Sequence, residues 1–380
     1  MPAKLRIGVV GLGIGRGHVR GYRLHPRAEV VAVCDTDPAR LETVGEALGI
    51  TARYTDAAAM LAAERIDILS VATPNVFHKP LTIAGLKAGC HVFCEKPMAM
   101  NAREGRAMVD AARRAGRRLM IHFSYRFSAP SQALRVAVDR GLLGEVYFGR
   151  TVWHRQRGMP KFGGWFGQKA LAGGGPLIDL GVHRLDLALW LMGYPEPDWV
   201  LGAAYDPIAG RLAREQKKTF DVEDLAAGAI RFRNGATLIV EASWAANIAE
   251  KDLMETRLLG TKGGLVQRNL DGGYRFEAET FTERRGGRVE TRRLPEGKRP
   301  PRPASWHFVE AIVRDRPHPA TGEEGLVVMR LLDALYSSAA LGRPVKVTET
   351  AGRAARPAAA SRCHRVAKSR KEPSTPPRRR

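Results

Sequence analysis

Three polar residues lie one helical turn apart in an otherwise apolar stretch of the sequence. The stretch GGGPLIDLGVHRLDLALW, from Gly173 to Trp190, contains Asp179, His183 and Asp186. At 3.6 residues per turn, spacings of four and three place these side chains on one face of a helix. Burying them without partners is costly, so the stripe either meets other protein groups or faces a ligand. An imidazole is a base near neutral pH, so the chemistry that this face could perform is proton transfer.

The position of the stripe in the helix suggests different roles for its members. Three glycines precede Pro176, a residue suited to the first helical position, so Asp179 falls in the predicted first turn. The positive end of the helix dipole favours the ionised carboxylate there. Asp186 lies deeper along the helix, and we expect it to orient His183 or to complete a buried network rather than to react.

The elements that must position this helix begin with an alternating region from Leu5 to about Phe123. The apolar runs LRIGVV, VVAVC, IDILSVA, CHVFC and RLMIHF have the length of strands, and segments such as DPARLETVGEAL separate them. This alternation predicts βαβ crossovers and a parallel sheet covered on both faces. We therefore predict a Rossmann-type, doubly wound α/β domain over residues 1–125.

A glycine-rich turn, GVVGLGIGRGH, follows the first predicted strand and precedes a helix. Glycines in such a turn allow the backbone to approach a pyrophosphate, which the helix N-terminus attracts. In the usual GxGxxG spacing Gly11 and Gly13 fit, but Arg16 occupies the third position, so Gly15 or Gly17 must serve instead.

An acid at the end of the second strand strengthens the prediction of a dinucleotide site. Asp35 closes VVAVCD, roughly 20 residues after the glycines, where a carboxylate accepts hydrogen bonds from ribose hydroxyls. A carboxylate there repels a 2′-phosphate, so we expect NAD in preference to NADP. Arg40 lies close enough in the sequence to leave NADP as an alternative.

Two further segments follow the fourth and fifth predicted strands: ATPNVFH, from Ala72 to His78, and CEKPMA, from Cys94 to Ala99. Ligands of open α/β sheets bind outside the carboxyl ends of the strands, so both segments should border the nicotinamide half of the crevice. We expect Lys96 to face the cofactor, since Pro97 stiffens the turn that carries it.

The pattern changes after about Phe127. Several strand-like runs follow, and in LAAGAIRFRNGATLIVEASW the pair Asn234-Gly235 separates two strands as a hairpin turn does. Two helices near Trp306 to Arg314 and Gly322 to Leu341 come after the strands. We predict an α+β domain with a mainly antiparallel open sheet over residues 126–348.

Composition limits the class of protein. The N-terminus lacks the pattern of a signal peptide and no apolar run has the length of a membrane span, so we expect a cytoplasmic protein. We interpret Cys90 and Cys94 as buried thiols on a strand and expect no metal site. The net charge is +22, but the tail after Thr350 holds ten Lys and Arg against one Glu. We predict a disordered basic tail over 349–380, without a nucleic-acid partner.

Taken together, GLGIGRGH, ATPNVFH, CEKPMA, SYRF and GGGPLIDLGVHRLD closely resemble the Gfo/Idh/MocA family of NAD(P)-dependent oxidoreductases, which includes inositol, glucose and related sugar dehydrogenases. The resemblance runs from Leu5 to about Val347. It implies that Lys96, Asp179 and His183 form the active site. It also implies that a set of residues lies along the cofactor: Gly11, Gly13, Ile14, Gly15, Asp35, Thr73, Asn75, His78, Glu95 and Lys96.

The implied activity is hydride transfer between a secondary hydroxyl of a sugar or polyol and NAD(P). His183 is then the expected general base, Asp179 orients the substrate or the imidazole, and Lys96 binds the reacting oxygen or relays the proton. Candidate sugar contacts are Arg126, His154 and Trp165. By resemblance we expect a homodimer or homotetramer. Two alternatives stay open: a glycosidase that uses transient oxidation by NAD, and a non-catalytic regulator that senses NAD(P).

Overall fold

Two sheets of different type organise the chain. The computed structural model describes residues 3–295 and 301–347, so the predicted basic tail lies outside the described residues. No helix among the described residues is both long enough and apolar enough to cross a membrane.

The first sheet has six parallel strands in the order β3-β2-β1-β4-β5-β6. Its strands are β1 (Leu5–Val10), β2 (Ala28–Cys34), β3 (Ala52–Tyr54), β4 (Ile68–Val71), β5 (His91–Cys94) and β6 (Leu119–Ile121). The helices between them are α1 (Gly15–Arg23), α2 (Pro38–Ala47), α3 (Ala57–Ala63), α4 (His78–Lys87) and α5 (Ala102–Ala115). The predicted doubly wound fold is confirmed. The direction of strand order reverses between β1 and β4, and open α/β sheets bind ligands in the crevice expected at such a point, outside the carboxyl ends of the strands.

The second sheet has nine strands in the order β14-β13-β12-β11-β7-β10-β9-β8-β15. They are β7 (Val146–Arg155), β8 (Pro197–Tyr205), β9 (Leu225–Phe232), β10 (Thr237–Ser243), β11 (Asp252–Gly260), β12 (Gly263–Leu270), β13 (Arg275–Glu283), β14 (Val289–Arg293) and β15 (Val345–Lys346). All neighbours pair antiparallel except β7 and β10, so the predicted mainly antiparallel sheet is confirmed. The hairpin at Asn234-Gly235 is also confirmed, because it joins β9 to β10 and Gly235 has φ +86°.

Helices cover one face of the second sheet and reach back to the first. They are α6 (Ala129–Asp139), α7 (Lys169–Ala172), α8 (Val182–Met192), α9 (Ala209–Glu215), α10 (Ala304–Val313) and α11 (Gly322–Leu341). Helix α11 packs against both α5 and β8, and Phe308 of α10 meets Phe93 of β5 with ring centroids 5.9 Å apart. The last two helices therefore fasten the two sheets together. Cys90 and Cys94 are buried thiols, as predicted.

The helical turn before α8 is wider than the α-helical turn that the sequence predicts. We expected one α-helix beginning at Pro176, but residues Leu177–Gly181 form a π-helical turn that leads into α8. Asp179 therefore lies in a π turn and not in the first turn of an α-helix. Turns of this kind are often found at functional sites.

A buried carboxylate holds the start of this π turn. Glu223 accepts hydrogen bonds from the backbone N–H groups of Gly175 and Leu177, at 2.9 and 3.2 Å, and from the hydroxyl of Tyr336 on α11, at 2.8 Å. The N–H groups at a helix start have no partners within the helix, so a carboxylate placed there satisfies them. The turn that carries Asp179 is thus fixed from outside the site.

A buried ion pair anchors the other end of the polar stripe. Arg126, which is 1% exposed, donates from Nε to Asp186 at 2.8 Å and from Nη1 to Glu324 of α11 at 2.8 Å. Tyr194 also bonds to both Arg126 and Asp186. Asp186 therefore completes a buried network, one of the two roles expected of it, and the network joins α8 to α11.

We predict that Arg126→Met destabilises the fold by roughly 3 to 5 kcal/mol, because it leaves the carboxylate of Asp186 buried without its cation. Urea unfolding of the purified variant measures the loss. The matched control is Arg113→Met, which breaks an exposed pair with Glu323 and should cost at most about 1 kcal/mol. Equal losses in the two variants would contradict this role for Arg126.

Candidate active site

The glycine-rich turn packs tightly at two glycines and is open at a third. Gly11 has φ +87°, and a Cβ there would stand 2.4 Å from the carbonyl oxygen of Ala72. A Cβ on Gly15 would stand 3.0 Å from Val9 of β1. A Cβ on Gly13 would meet nothing within 4 Å, so packing within the described chain does not require glycine there. A ligand that approaches this backbone does require it, which fits a pyrophosphate.

The structure identifies the glycine that replaces the missing third position of the motif. Helix α1 begins at Gly15, which packs against β1, whereas a Cβ on Gly17 would meet nothing within 4 Å. Gly15 therefore allows the close approach of helix and strand. Ile14 precedes it at the tip of the turn and is 56% exposed.

Asp35 is buried at the end of β2 and joins the turn to the next helix. Its carboxylate accepts from the N–H of Leu12 at 2.7 Å and from the N–H of Asp37 at 3.0 Å. Arg40 lies 3.3 Å from the same carboxylate and 3.1 Å from that of Asp37. The carboxylate of Asp35 could also accept hydrogen bonds from a ribose, and its nearest cation is shared with Asp37.

The segment after β4 contains one hydroxyl without a partner. The buried Oγ1 of Thr73 has no hydrogen-bond partner among the described residues. Two other residues of this segment are occupied by the protein: Asn75 donates to the carbonyl of Ala172 at 2.7 Å, and the ring of His78 lies between the carbonyl oxygens of Thr73 and Pro97. Asn75 and His78 therefore hold the loop, and the Thr73 hydroxyl could bond to a ligand.

Lys96 and Asp179 come together from opposite sides of the crevice. The ammonium of Lys96 lies 2.9 Å from Oδ1 of Asp179 and 2.9 Å from its backbone oxygen. Nε1 of Trp244 donates to Oδ2 of the same carboxylate at 3.0 Å. Sequence reasoning missed Trp244, although alternation along β10 from Leu238 places it on the face that meets α8.

His183 is partly exposed, and aromatic rings hold its imidazole. Its ring centroid lies 5.0 Å from that of Tyr125 and 5.9 Å from that of Trp153. Its Nδ1 is buried, and no hydrogen bond joins it to another group in the described ranges. Burial, followed by the charge of Lys96, lowers the pKa of His183 well below 6.5. Neither Asp179 nor Asp186 orients the imidazole, contrary to one expectation from the sequence.

Glu95 lies in a cluster that the sequence did not reveal. Its Oε1 lies 2.7 Å from Nε2 of His18 on α1 and 2.6 Å from Nδ1 of His122 after β6. Burial alone would raise the pKa of Glu95, but the two histidines hold it well below 4.5. These three groups have the chemistry of metal ligands. Since both rings share one oxygen at hydrogen-bond distance, hydrogen bonding accounts for the cluster.

The strand ends beside His183 form a wall of aromatic and charged groups. Asp252 accepts from Nε1 of Trp153 at 3.0 Å and lies 3.2 Å from Nε of Arg155. Arg155 also donates to the hydroxyl of Tyr274, which is 60% exposed, at 2.8 Å. These residues lie far apart in the chain, so no motif of the sequence brings them together.

The three candidate sugar contacts occupy different places. His154 follows Trp153 on β7 and therefore points to the opposite face of the sheet, where it lies 3.6 Å from Glu241. The guanidinium of Arg126 is already paired with Asp186 and Glu324. Trp165 stacks on Phe166 with centroids 3.8 Å apart, and Phe166 in turn meets Trp244. Of the three, the geometry keeps Trp165 beside the site.

The arrangement combines a cation, a carboxylate that fixes it, and a neutral base next to a crevice that fits a dinucleotide. The cation can stabilise negative charge on an oxygen, and the base can accept a proton.

Comparison with known proteins assigns the family. Residues 5–123 match the model described as oxidoreductase family, NAD-binding Rossmann fold, and residues 131–266 match the GFO/IDH/MocA C-terminal domain. D-glucoside 3-dehydrogenase of Escherichia coli K12 is 34% identical, over 90% of this chain and 97% of that protein. Myo-inositol 2-dehydrogenase of Thermotoga maritima is 27% identical, over 92% and 100%.

Among solved structures, levoglucosan dehydrogenase in complex with NADH has a TM-score of 0.79 and 25% identity, and the match covers 90% of this chain and 99% of that one. The relatives are sugar and cyclitol dehydrogenases, and the two matched models span both sheets. The chain therefore belongs to the GFO/IDH/MocA family of oxidoreductases.

Proposed function

We propose that the protein is an NAD-dependent dehydrogenase that oxidises a secondary hydroxyl of a sugar, cyclitol or related polyol. The observation that carries this proposal is the Lys96–Asp179 pair, which brings a cation and the neighbouring His183 to the crevice beside the glycine-rich turn. The activities of the related dehydrogenases support the same reading. They give no support to the glycosidase or the regulator.

Lys96, Asp179 and His183 have separate roles in the proposed reaction. NAD, when bound, accepts the hydride from the carbinol carbon. Lys96 donates a hydrogen bond to the reacting oxygen, and its charge stabilises the negative charge that develops there. Asp179 fixes the ammonium, and Trp244 fixes Asp179. The imidazole of His183 is neutral at pH 7, because its pKa is lowered, and it takes the hydroxyl proton.

The cofactor preference rests on Asp35. Its carboxylate would accept ribose hydroxyls and repel the 2′-phosphate of NADP. Arg40, the cation that could receive that phosphate, is paired with Asp35 and Asp37. We therefore propose NAD as the preferred cofactor, with NADP as the second.

The substrate would bind against the aromatic wall. Tyr274, which is 60% exposed, offers a flat apolar face that suits the C–H face of a sugar ring, and Arg155 offers hydrogen-bonding groups beside it. Trp165 remains a proposed contact, while Arg126 and His154 do not. Association of copies through the open face of the second sheet and a cytoplasmic location stay predictions.

A substrate panel tests the proposal. Purified protein with NAD and a range of aldoses, glycosides, cyclitols and polyols should produce NADH, followed by its absorbance, with at least one group. Lys96→Met and His183→Ala should each lower turnover at least about 100-fold, while NAD binding is kept. Lys79→Met, which removes a lysine paired with Glu104, is the control and should leave turnover unchanged. Near-normal turnover of either site variant would refute its role.

Asp35→Asn tests the cofactor preference. The amide can still accept from the N–H of Leu12, but the negative charge is lost. We expect the ratio of kcat/KM with NADP to that with NAD to rise by about tenfold, since a charge-assisted hydrogen bond is lost and a repulsion removed. Asp56→Asn, at the start of α3, serves as the control. An unchanged ratio in Asp35→Asn would show that this carboxylate does not select the cofactor.

Trp244→Phe tests the support of Asp179. The substitution keeps an aromatic ring between Phe166 and Phe220 but removes the donor to Oδ2. We expect kcat to fall by about tenfold with unchanged affinity for NAD, because a hydrogen bond to a charged group contributes about 1.5 kcal/mol. Trp306→Phe on α10 is the matched control. If the two variants have equal kcat, Trp244 only fills space.

A further inference from the structure

Arg184, the residue after His183, is a buried cation without an acidic partner. Its side chain is 0% exposed, and Nη1 donates to Oε1 of Gln267 on β12 at 3.1 Å. Nε and Nη2 are buried and have no hydrogen-bond partner within residues 3–295 and 301–347, and no carboxylate in those ranges forms a salt bridge with it. Burial lowers the pKa of Arg184 to about 10, so it stays charged at neutral pH. A buried charge of this kind is costly.

Two aromatic rings enclose the guanidinium, and one of them also touches the base. Cζ of Arg184 lies 5.7 Å from the ring centroid of Tyr125 and 5.8 Å from that of Phe276. Tyr125 meets the imidazole of His183 with centroids 5.0 Å apart. The cation therefore holds the ring against which the base packs.

Other charged groups also act on the imidazole, and the carboxylate of Glu95 partly offsets the cations. Lys96 and Glu95 approach from the segment after β5, His122 from the end of β6, and Asp179 from the preceding turn. Each acid is engaged: Asp179 with Lys96, and Glu95 with its two histidines. Glu255 acts on Arg184 from β11 without a hydrogen bond.

We propose that Arg184 is a positioning residue, whose charge and hold on Tyr125 keep the His183 imidazole neutral and aligned for proton acceptance. The inference rests on the proposed function. A protonated imidazole would place a second positive charge against the ring on which the Arg184 guanidinium packs, so its protonation is disfavoured. The base is thus available at mildly acidic pH. The buried cation lowers stability, which is a common property of residues kept for activity.

The experiment compares Arg184→Met, which removes the charge, with Arg184→Lys, which keeps it. In the pH profile of kcat/KM, activity is lost as pH falls through the pKa of the base. We expect the midpoint of this acid limb to lie about 0.5 to 1 pH unit higher in the methionine variant than in the wild type. The lysine variant should retain the wild-type limb. Arg150→Met removes an arginine from the opposite face of the sheet, where it pairs with Glu241, and should leave the limb in place.

A second measurement separates this proposal from the proposed function. Titration of the ring C–H signal of His183 by NMR, assigned by its loss in His183→Ala, reports protonation without any substrate. The signal should shift its midpoint upward in Arg184→Met even if the substrate panel gives no NADH. Urea unfolding should show that this variant is no less stable than the wild type. An unmoved midpoint in a folded Arg184→Met protein, or a large loss of stability with an unmoved acid limb, would overturn the proposal.

Discussion

The contact between Lys96 and Asp179 is the constraint on which the site depends. Lys96 follows a strand of the parallel sheet, and Asp179 belongs to the π turn that lies on the antiparallel sheet. Residues positioned by two different sheets must therefore meet to within hydrogen-bond distance. Small errors in this distance would be costly for proton and hydride transfer, because reacting groups require close and aligned approach.

Several buried carboxylates provide the precision that this contact requires. Glu223 fixes the start of the π turn, Asp186 fixes α8 through Arg126, and Glu95 binds the backbone N–H of Lys96 as well as two histidines. Each carboxylate joins elements that are distant in sequence. Together they hold the segments that carry Lys96, Asp179 and His183 in place. In contrast, two polar atoms of the candidate site, His183 Nδ1 and Thr73 Oγ1, have no hydrogen-bond partner among the described residues.

Much of this arrangement follows from the sequence, and the rest depends on distances that a sequence does not contain. The alternation of runs predicted the parallel sheet, and the spacing of Asp179 and His183 indicated a shared face. The π turn could not be predicted, because its hydrogen bonds span only one residue more than those of an α-helix and no sequence motif here marks the change. The roles of Arg126 and His154 depended on which carboxylate lies nearby and on which face of β7 is covered. Trp244 and Arg184 needed the packing of strands against α8 to be seen.

The aromatic wall comes from the ends of β7, β11 and β13, whereas the lysine and aspartate are held by other elements. A substitution at Tyr274 or Arg155 would thus alter the surface offered to a ring without moving the reacting groups. In the proposed function, different structural elements therefore bind the substrate and carry the reacting groups. Under the proposed function, point substitutions at these strand ends would change which sugar or polyol is bound, while the residues proposed for proton and hydride transfer stay in place.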